Sequence, residues 1–204
     1  MPLRSPGRHR SVIPNQVMRL FIGLNLPKKQ KARIVRAVRP LREEGLPVRW
    51  VEPDNFHVTL KFLGQVNKDR VPAIEEALRS VASESPPFST KIGGFGAFPS
   101  VRRPRVIWVG IHATPELRCL KQDLEWTLGD VGFEVETRAF HPHVTVGRAR
   151  KESGAGEFRG LDQHFAGLEL AADLRVHSVD LMESRLSAEG PRYDVVSGVR
   201  LVSA

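Results

Sequence analysis

The sequence predicts an α+β fold of two lobes related by a pseudo-twofold axis, with antiparallel-rich sheets lining a central cleft and helices on the outside. Three observations carry this expectation. Strand-like apolar runs and amphipathic helical runs are mixed without a strict parallel βαβ rhythm. The order strand, helix, glycine, His-x-Thr occurs twice. Sliding the chain by 86 residues registers the copies: Leu20 falls on Val106, Phe21 on Ile107, Ile22 on Trp108, His57 on His143, Val58 on Val144 and Thr59 on Thr145. A lone His-x-Thr recurs by chance easily; four features in common order do not.

Each element has its own warrant. "RLFIGLNLP" (Arg19–Pro27) reads as a buried strand. A helix follows over Lys28–Arg39, with Ile34, Val38 and Leu41 on one face and Lys28, Lys29, Lys31, Arg33 and Arg36 largely outside; Pro40 is expected to limit its end. Then come Gly45, an extended "VRWVEP", and the strand "NFHVTLKFLG" (Asn55–Gly64). Asp69–Ser83 carries Val71, Ile74, Leu78 and Val81 at helical spacing, and Phe88–Ser100 reads as strand and loop.

The second copy begins with the strand "RPRVIWVGI" (Arg103–Ile111). Thr114–Asp130 reads as a helix, with a Thr N-cap, Pro115 at its first position and Leu117, Leu120, Leu124 and Leu128 on one face. Gly132, "FEVETRAF" and "HPHVTVGRAR" (His141–Arg150) complete the copy. A short helix over Phe158–Phe165 and strands over Leu168–Leu170, Arg175–Ser184 and Tyr193–Ser203 are expected to close the chain.

The 204 residues, 41% of them hydrophobic, suffice for one compact domain or two small lobes. Residues 18–204 are read as a single bilobal domain holding both repeats. Residues 1–17 contain Arg4, Arg8 and Arg10, no acidic residue and no periodicity; they read as a disordered basic tail, or more sharply as a basic arm. No apolar run reaches the ~20 residues of a helical membrane span. The single cysteine, Cys119, excludes an internal disulfide framework, fits a reducing, cytoplasmic setting, and is expected to pack in the core. The net charge of +8 points to a polyanionic partner, nucleic acid first; outside the tail, 28 basic and 23 acidic residues still leave +5.

Strand alternation sets the faces of the two His-x-Thr segments. Phe56, Val58, Leu60 and Phe62 should face the core, and His57, Thr59 and Lys61 the other way. Val144 and Val146 should face the core, and His143 and Thr145 away from it. Brought together by a twofold axis, two imidazoles would flank one space with two hydroxyls between them. One imidazole can accept a proton while the other donates one, and histidine's ordinary pKa of ~6.5 suits both tasks. Threonine hydroxyls can donate to the non-bridging oxygens of a phosphate. Two rival readings remain at this point. His141, His143 and His57 could hold zinc in a hydrolase, and the positive charge could serve a non-catalytic RNA-binding module. His9, His112, His164 and His177 have no matched partner, and Trp50 and Trp108 read as core residues ahead of base-stacking ones.

At "RLFIGLNLP", "VRWVEPDNFHVTLKFLG", "GAFPSVRRPRVIWVGI", "HPHVTVGR" and "LMESRLSAEGPRY" the sequence resembles the two-histidine phosphoesterases, specifically the bacterial and archaeal RNA 2′,3′-cyclic phosphodiesterases, also called 2′-5′ RNA ligases. The resemblance spans about Arg19 to Val202. It implies metal-independent hydrolysis of RNA 2′,3′-cyclic phosphate ends, tRNA fragments among them, to 2′-phosphates, with reversible 2′-5′ ligation and no cofactor. It implies His57 as proton donor, His143 as proton acceptor, and Thr59, Thr145 and Arg148 as phosphate-binding residues. Strict alternation would turn Arg148 toward the core, so the strand must end or bulge near Gly147. Lys61, Arg185, Arg192 and Tyr193 are further candidates for substrate contact. A monomer is expected, because one chain can supply both halves of the site.

Overall fold

The computed structural model describes residues 17–187 and 190–202. The expectations for the basic tail and for His9 lie outside them, except that Val17 already belongs to the first strand. The elements run β1 (Val17–Asn25), α1 (Lys28–Glu43), β2 (Val48–Trp50), β3 (His57–Asn67), α2 (Val71–Glu84), β4 (Phe88–Phe98), β5 (Val106–Ile111), α3 (Pro115–Asp130), β6 (His143–Ala149), α4 (Leu161–Ala166), β7 (Ala171–Val176), β8 (Ser178–Ser187) and β9 (Gly190–Arg200).

All nine strands join one sheet, ordered β7-β4-β5-β6-β3-β1-β8-β9, with β2 added beside β6. Every pairing is antiparallel. The order reads symmetrically outward from its centre: β6-β5-β4-β7 on one side, β3-β1-β8-β9 on the other. The two lobes expected from the repeat are therefore halves of one sheet. They meet at the β3–β6 seam, where Val58 and Val144 are Cα partners.

The core lies between this sheet and the helices. Ile34, Val38 and Leu41 of α1, Ile74, Leu78 and Val81 of α2, and Leu117, Leu120, Leu124 and Leu128 of α3 are buried together with Val58, Val144, Ile22 and Ile107 of the strands. Each fully buried aliphatic side chain of this kind contributes about 1.5–3 kcal/mol. Thr114 caps α3 by accepting from the Leu117 N–H at 3.3 Å. Gly45 and Gly132, which follow α1 and α3 in the repeat, both adopt positive φ (66° and 87°), the left-handed conformation that reverses a chain leaving a helix.

Several local expectations are corrected. Pro40 does not end α1, which runs on to Glu43. Proline removes the bond to the Arg36 carbonyl, but Arg36 and Pro40 both lie on the solvent side of the helix, while Leu41 extends the buried stripe. Leu168–Leu170 is not a strand; β7 starts at Ala171, and the run from Arg175 divides at His177 into β7 and β8. Cys119 is exposed, because the buried stripe of α3 falls on Leu117, Leu120 and Leu124 and leaves it on the outer face. Among the described residues no helix is long and apolar enough to cross a membrane.

Candidate active site

Two matching irregularities set the cleft face of the sheet. In the β1–β3 ladder Gly23 pairs with Thr59 and Ile22 with Lys61, so Leu60 is an extra residue. In the β5–β6 ladder Trp108 pairs with Thr145 and Ile107 with Gly147, so Val146 is an extra residue. Leu60 and Val146 are repeat equivalents, 86 positions apart. A bulge breaks the two-residue alternation, and each bulge does so here. Beyond Leu60, Lys61 turns into the interior (3% exposed) and Phe62 turns out (70% exposed). This reverses the faces expected of those two residues. Beyond Val146, Gly147 is buried and Arg148 is exposed on the cleft side, the outcome its candidacy required.

Inside, Lys61 meets a buried cluster. Its ammonium donates to the Glu125 carboxylate and to the Glu134 carbonyl (2.6 Å), and Lys121 donates to the other Glu125 oxygen. The Glu136 N–H donates to Glu125 as well, at 3.0 Å. Burial pushes the Glu125 carboxyl up, but the bonds from Lys121, Lys61 and Glu136 outweigh it and leave the group below its usual range. The cluster holds the 134–136 segment, the repeat counterpart of β2, which carries no strand here.

The two histidines are mounted identically. His57 Nδ1 lies 2.7 Å from the Asn55 carbonyl oxygen, and His143 Nδ1 lies 2.7 Å from the His141 carbonyl oxygen. A carbonyl only accepts, so Nδ1 carries the proton in each neutral ring and Nε2 is left with its lone pair. Both histidines, both threonines and Arg148 line one cavity of about 460 Å³. Among the described residues neither threonine hydroxyl bonds to another protein group.

Aromatic rings pack both imidazoles. Tyr193 stands edge-on to His57 at 4.6 Å with Phe21 at 4.8 Å, and Phe98 stands edge-on to His143 at 5.1 Å. Burial pushes His57 from the usual 6.5 to about 4, against the pull of its bond to Asn55 and with help from the charges of Lys31, Arg148 and His143. Burial lowers His143 too, aided by Arg148 and His141. Both shifts favour the neutral rings near pH 7.

The other candidates divide. Tyr193 lines the cavity, fixed by Asn55, whose Oδ1 accepts from the Tyr193 N–H (3.2 Å) while its Nδ2 donates to the Pro191 carbonyl (2.9 Å). Arg185 and Arg192 stay outside, engaged with Glu183 and Asp194. Lys61 is absent from the cavity wall. His141 contributes its carbonyl to His143 but no side chain to this cavity, and among the described residues no group of three or more His, Cys, Asp or Glu is placed to hold a metal ion. His112 and His177 do not line the cavity, and His164 sits 3.5 Å from Glu44. Trp50 is half-buried and does line the cavity; Trp108 packs on Phe98 at 5.2 Å. Asn55, Phe62 and Phe98 belong to the site and were not singled out by sequence. Asn55 was visible only as the residue two before His57, aligned with His141.

Comparisons with known proteins agree with this architecture. The family model described as LigT like Phosphoesterase matches residues 24–108 and again 109–193, one match per repeat. The chain is 34% identical over 173 residues to the RNA 2′,3′-cyclic phosphodiesterase of Aeropyrum pernix, covering 84% of this chain and 97% of that one. It is 33% identical over 180 residues to the protein of the same name from Thermotoga maritima, covering 88% and 93%. Among solved structures, TT0787 of Thermus thermophilus superposes with a TM-score of 0.73 at 26% identity, covering 90% of this chain and 98% of the other. Escherichia coli LigT complexed with 3′-AMP shares the fold, with a TM-score of 0.68 at 24% identity over 92% of this chain and all of that one. With one family match on each repeat and such relatives along nearly its whole length, the chain belongs to the LigT-like phosphoesterases.

Proposed function

We propose that this protein hydrolyses RNA 2′,3′-cyclic phosphate ends to 2′-phosphates, using the two histidines as an acid–base pair and no metal ion. The observation that carries the reading is the matched mounting of the imidazoles. Each has Nδ1 tied to a backbone carbonyl and Nε2 left for the cavity, with a threonine two residues on. The names of the relatives supply the substrate class.

In this reaction His143 Nε2 takes a proton from water as the water oxygen bonds to phosphorus. The bond from phosphorus to the 3′ oxygen breaks, and His57, protonated at Nε2, gives that oxygen its proton. The products are a 2′-phosphate and a 3′-hydroxyl. Thr59, Thr145 and Arg148 donate to the non-bridging oxygens, where charge grows in the transition state. The low His57 pKa does not bar it from the acid role, because a bound phosphate anion opposes the charge of Arg148 and favours the imidazolium. With a 5′-hydroxyl in place of water the same steps form a 2′-5′ linkage. One chain supplies both halves of the site, so we take residues 18–204 as one domain active as a monomer.

The test is hydrolysis of an oligonucleotide with a 2′,3′-cyclic phosphate end in excess chelator. Activity should persist in chelator and vanish in His57→Ala and His143→Ala. Complete loss on chelation would sink the mechanism, and RNA binding without turnover would make the protein a binding module.

A further inference from the structure

The reacting cavity shares Arg49 and Arg148 with a second, wider basin of about 1150 Å³. Arg103, Arg105, Arg150 and Lys151 complete its cationic lining, against the single carboxylate of Glu152. All six cations are exposed. Among the described residues none of them forms an ion pair, whereas Arg79, Arg138, Arg185 and Arg192 each have a carboxylate partner.

The basin is held by backbone bonds. Arg49 and Arg148 are direct partners across the β2–β6 pair. Like charges placed opposite each other on neighbouring strands destabilise a sheet, and an anion between them removes that cost. The Arg105 N–H donates to the Phe98 carbonyl (2.6 Å), the Ala149 N–H donates to the Arg105 carbonyl (3.2 Å), and the Arg150 N–H donates to the Pro47 carbonyl (2.8 Å). Three stretches distant in sequence thus present their cations from one tied platform.

We propose that this basin binds the phosphodiester backbone on the 5′ side of the reacting end, so that the protein selects oligonucleotides over cyclic mononucleotides. The inference rests on the proposed function for its polarity: an RNA ending in a 2′,3′-cyclic phosphate continues only through its 5′ oxygen. Arg148 stands at the junction of the two cavities, next to both the reacting phosphate and the phosphates that precede it. A cation-lined groove that follows a single strand binds by releasing counterions, and this makes the affinity salt-dependent.

The test is fluorescence anisotropy with a labelled RNA pentamer ending in a 2′-phosphate, titrated at several salt concentrations. The wild-type chain is compared with the triple variant Arg103→Gln/Arg150→Gln/Lys151→Gln, which leaves Arg49 and Arg148 in place. Each phosphate that is no longer neutralised flattens the plot of log affinity against log salt by about 0.7 for a single strand, so the variant should be flatter by about 2 and bind the pentamer roughly tenfold or more weakly at low salt. A nucleoside 2′-phosphate, which lacks the 5′ backbone, should bind both proteins within about twofold. A pentamer slope unchanged in the variant, or equal weakening for pentamer and mononucleotide, would overturn the proposal. Product binding is read whether or not the protein turns over substrate, so a catalytically inert wild type would contradict the proposed function alone.

Discussion

Val58 and Val144 are partners across the seam of the sheet and are also equivalents in the sequence repeat. The pseudo-twofold axis therefore passes through this pair. The antiparallel register at that point aligns His57 with Thr145, and Thr59 with His143. By this register each lobe's histidine falls opposite the other lobe's threonine, and all four residues line the one cavity. Under the proposed function, a phosphate centred on the axis would meet one hydroxyl and one imidazole from each side.

The first prediction concerns pH. Burial and neighbouring cations lower both histidines, so the kcat/KM profile, which reports the free protein, should peak below pH 6.5. The kcat profile should peak at higher pH, because bound phosphate favours the imidazolium. Arg148→Gln removes a charge that lowers both rings and should move the alkaline limb of kcat/KM upward. A limb that stays put or moves down contradicts this electrostatic account.

His57 also links pH to stability. Its folded pKa, about 4, lies below its ordinary 6.5, so the neutral ring is the form the fold favours. That contribution is present above pH 6.5 and is lost as pH falls from 6.5 toward 4. Urea unfolding should show a loss of about 2 kcal/mol from this group between pH 7 and 4.5. His57→Gln should remove that part of the pH dependence; an unchanged dependence in the variant would place its origin elsewhere.

The buried Lys61–Glu125–Lys121 cluster should behave asymmetrically. Glu125→Gln strands two buried ammonium groups and should cost about 3–5 kcal/mol in chemical denaturation. Replacing all three with apolar residues, as Lys61→Met/Lys121→Met/Glu125→Leu, should recover most of that loss. A single variant as stable as the wild type would show that the cluster is not electrostatically tight.

Phe62 and Arg148 are repeat equivalents that the paired bulges turn into the same cavity, giving it one aromatic and one cationic wall. Phe62 should stack on the terminal base. Phe62→Ala is expected to raise KM for a cyclic phosphate substrate roughly tenfold with little change in kcat, as removal of one base–aromatic stack would. A fall in kcat at constant KM would place Phe62 in the chemical step instead.

The sequence made the repeat, the main helices and the faces of His57, Thr59, His143 and Thr145 legible, because periodicity and register are local or directly comparable. In the first copy legibility failed one residue later. Leu60 looks like an ordinary core residue of an alternating strand, and only the ladder beside it shows that it is extra. Lys61 and Phe62 were therefore assigned to the wrong faces. In the second copy the irregularity expected near Gly147 is present: a Cβ there would come within 2.6 Å of Val48, and glycine in a strand marks a bulge or a close approach. The basin was hidden for another reason. Arg49, Arg105 and Arg148 are far apart in sequence, and they converge because β6 pairs with β5, which Arg105 precedes, and also with β2, which crosses from the other half of the sheet.

The division of labour between the histidines is tested most directly by changing the leaving atom. In a 2′,3′-cyclic phosphorothiolate with sulfur at the bridging 3′ position, the departing thiolate needs no proton. The rate lost in His57→Ala on the ordinary oxygen substrate should then be largely recovered, while His143→Ala stays as impaired as before. Recovery in His143→Ala instead, or equal recovery in both, would contradict the assignment of His57 as donor and His143 as acceptor.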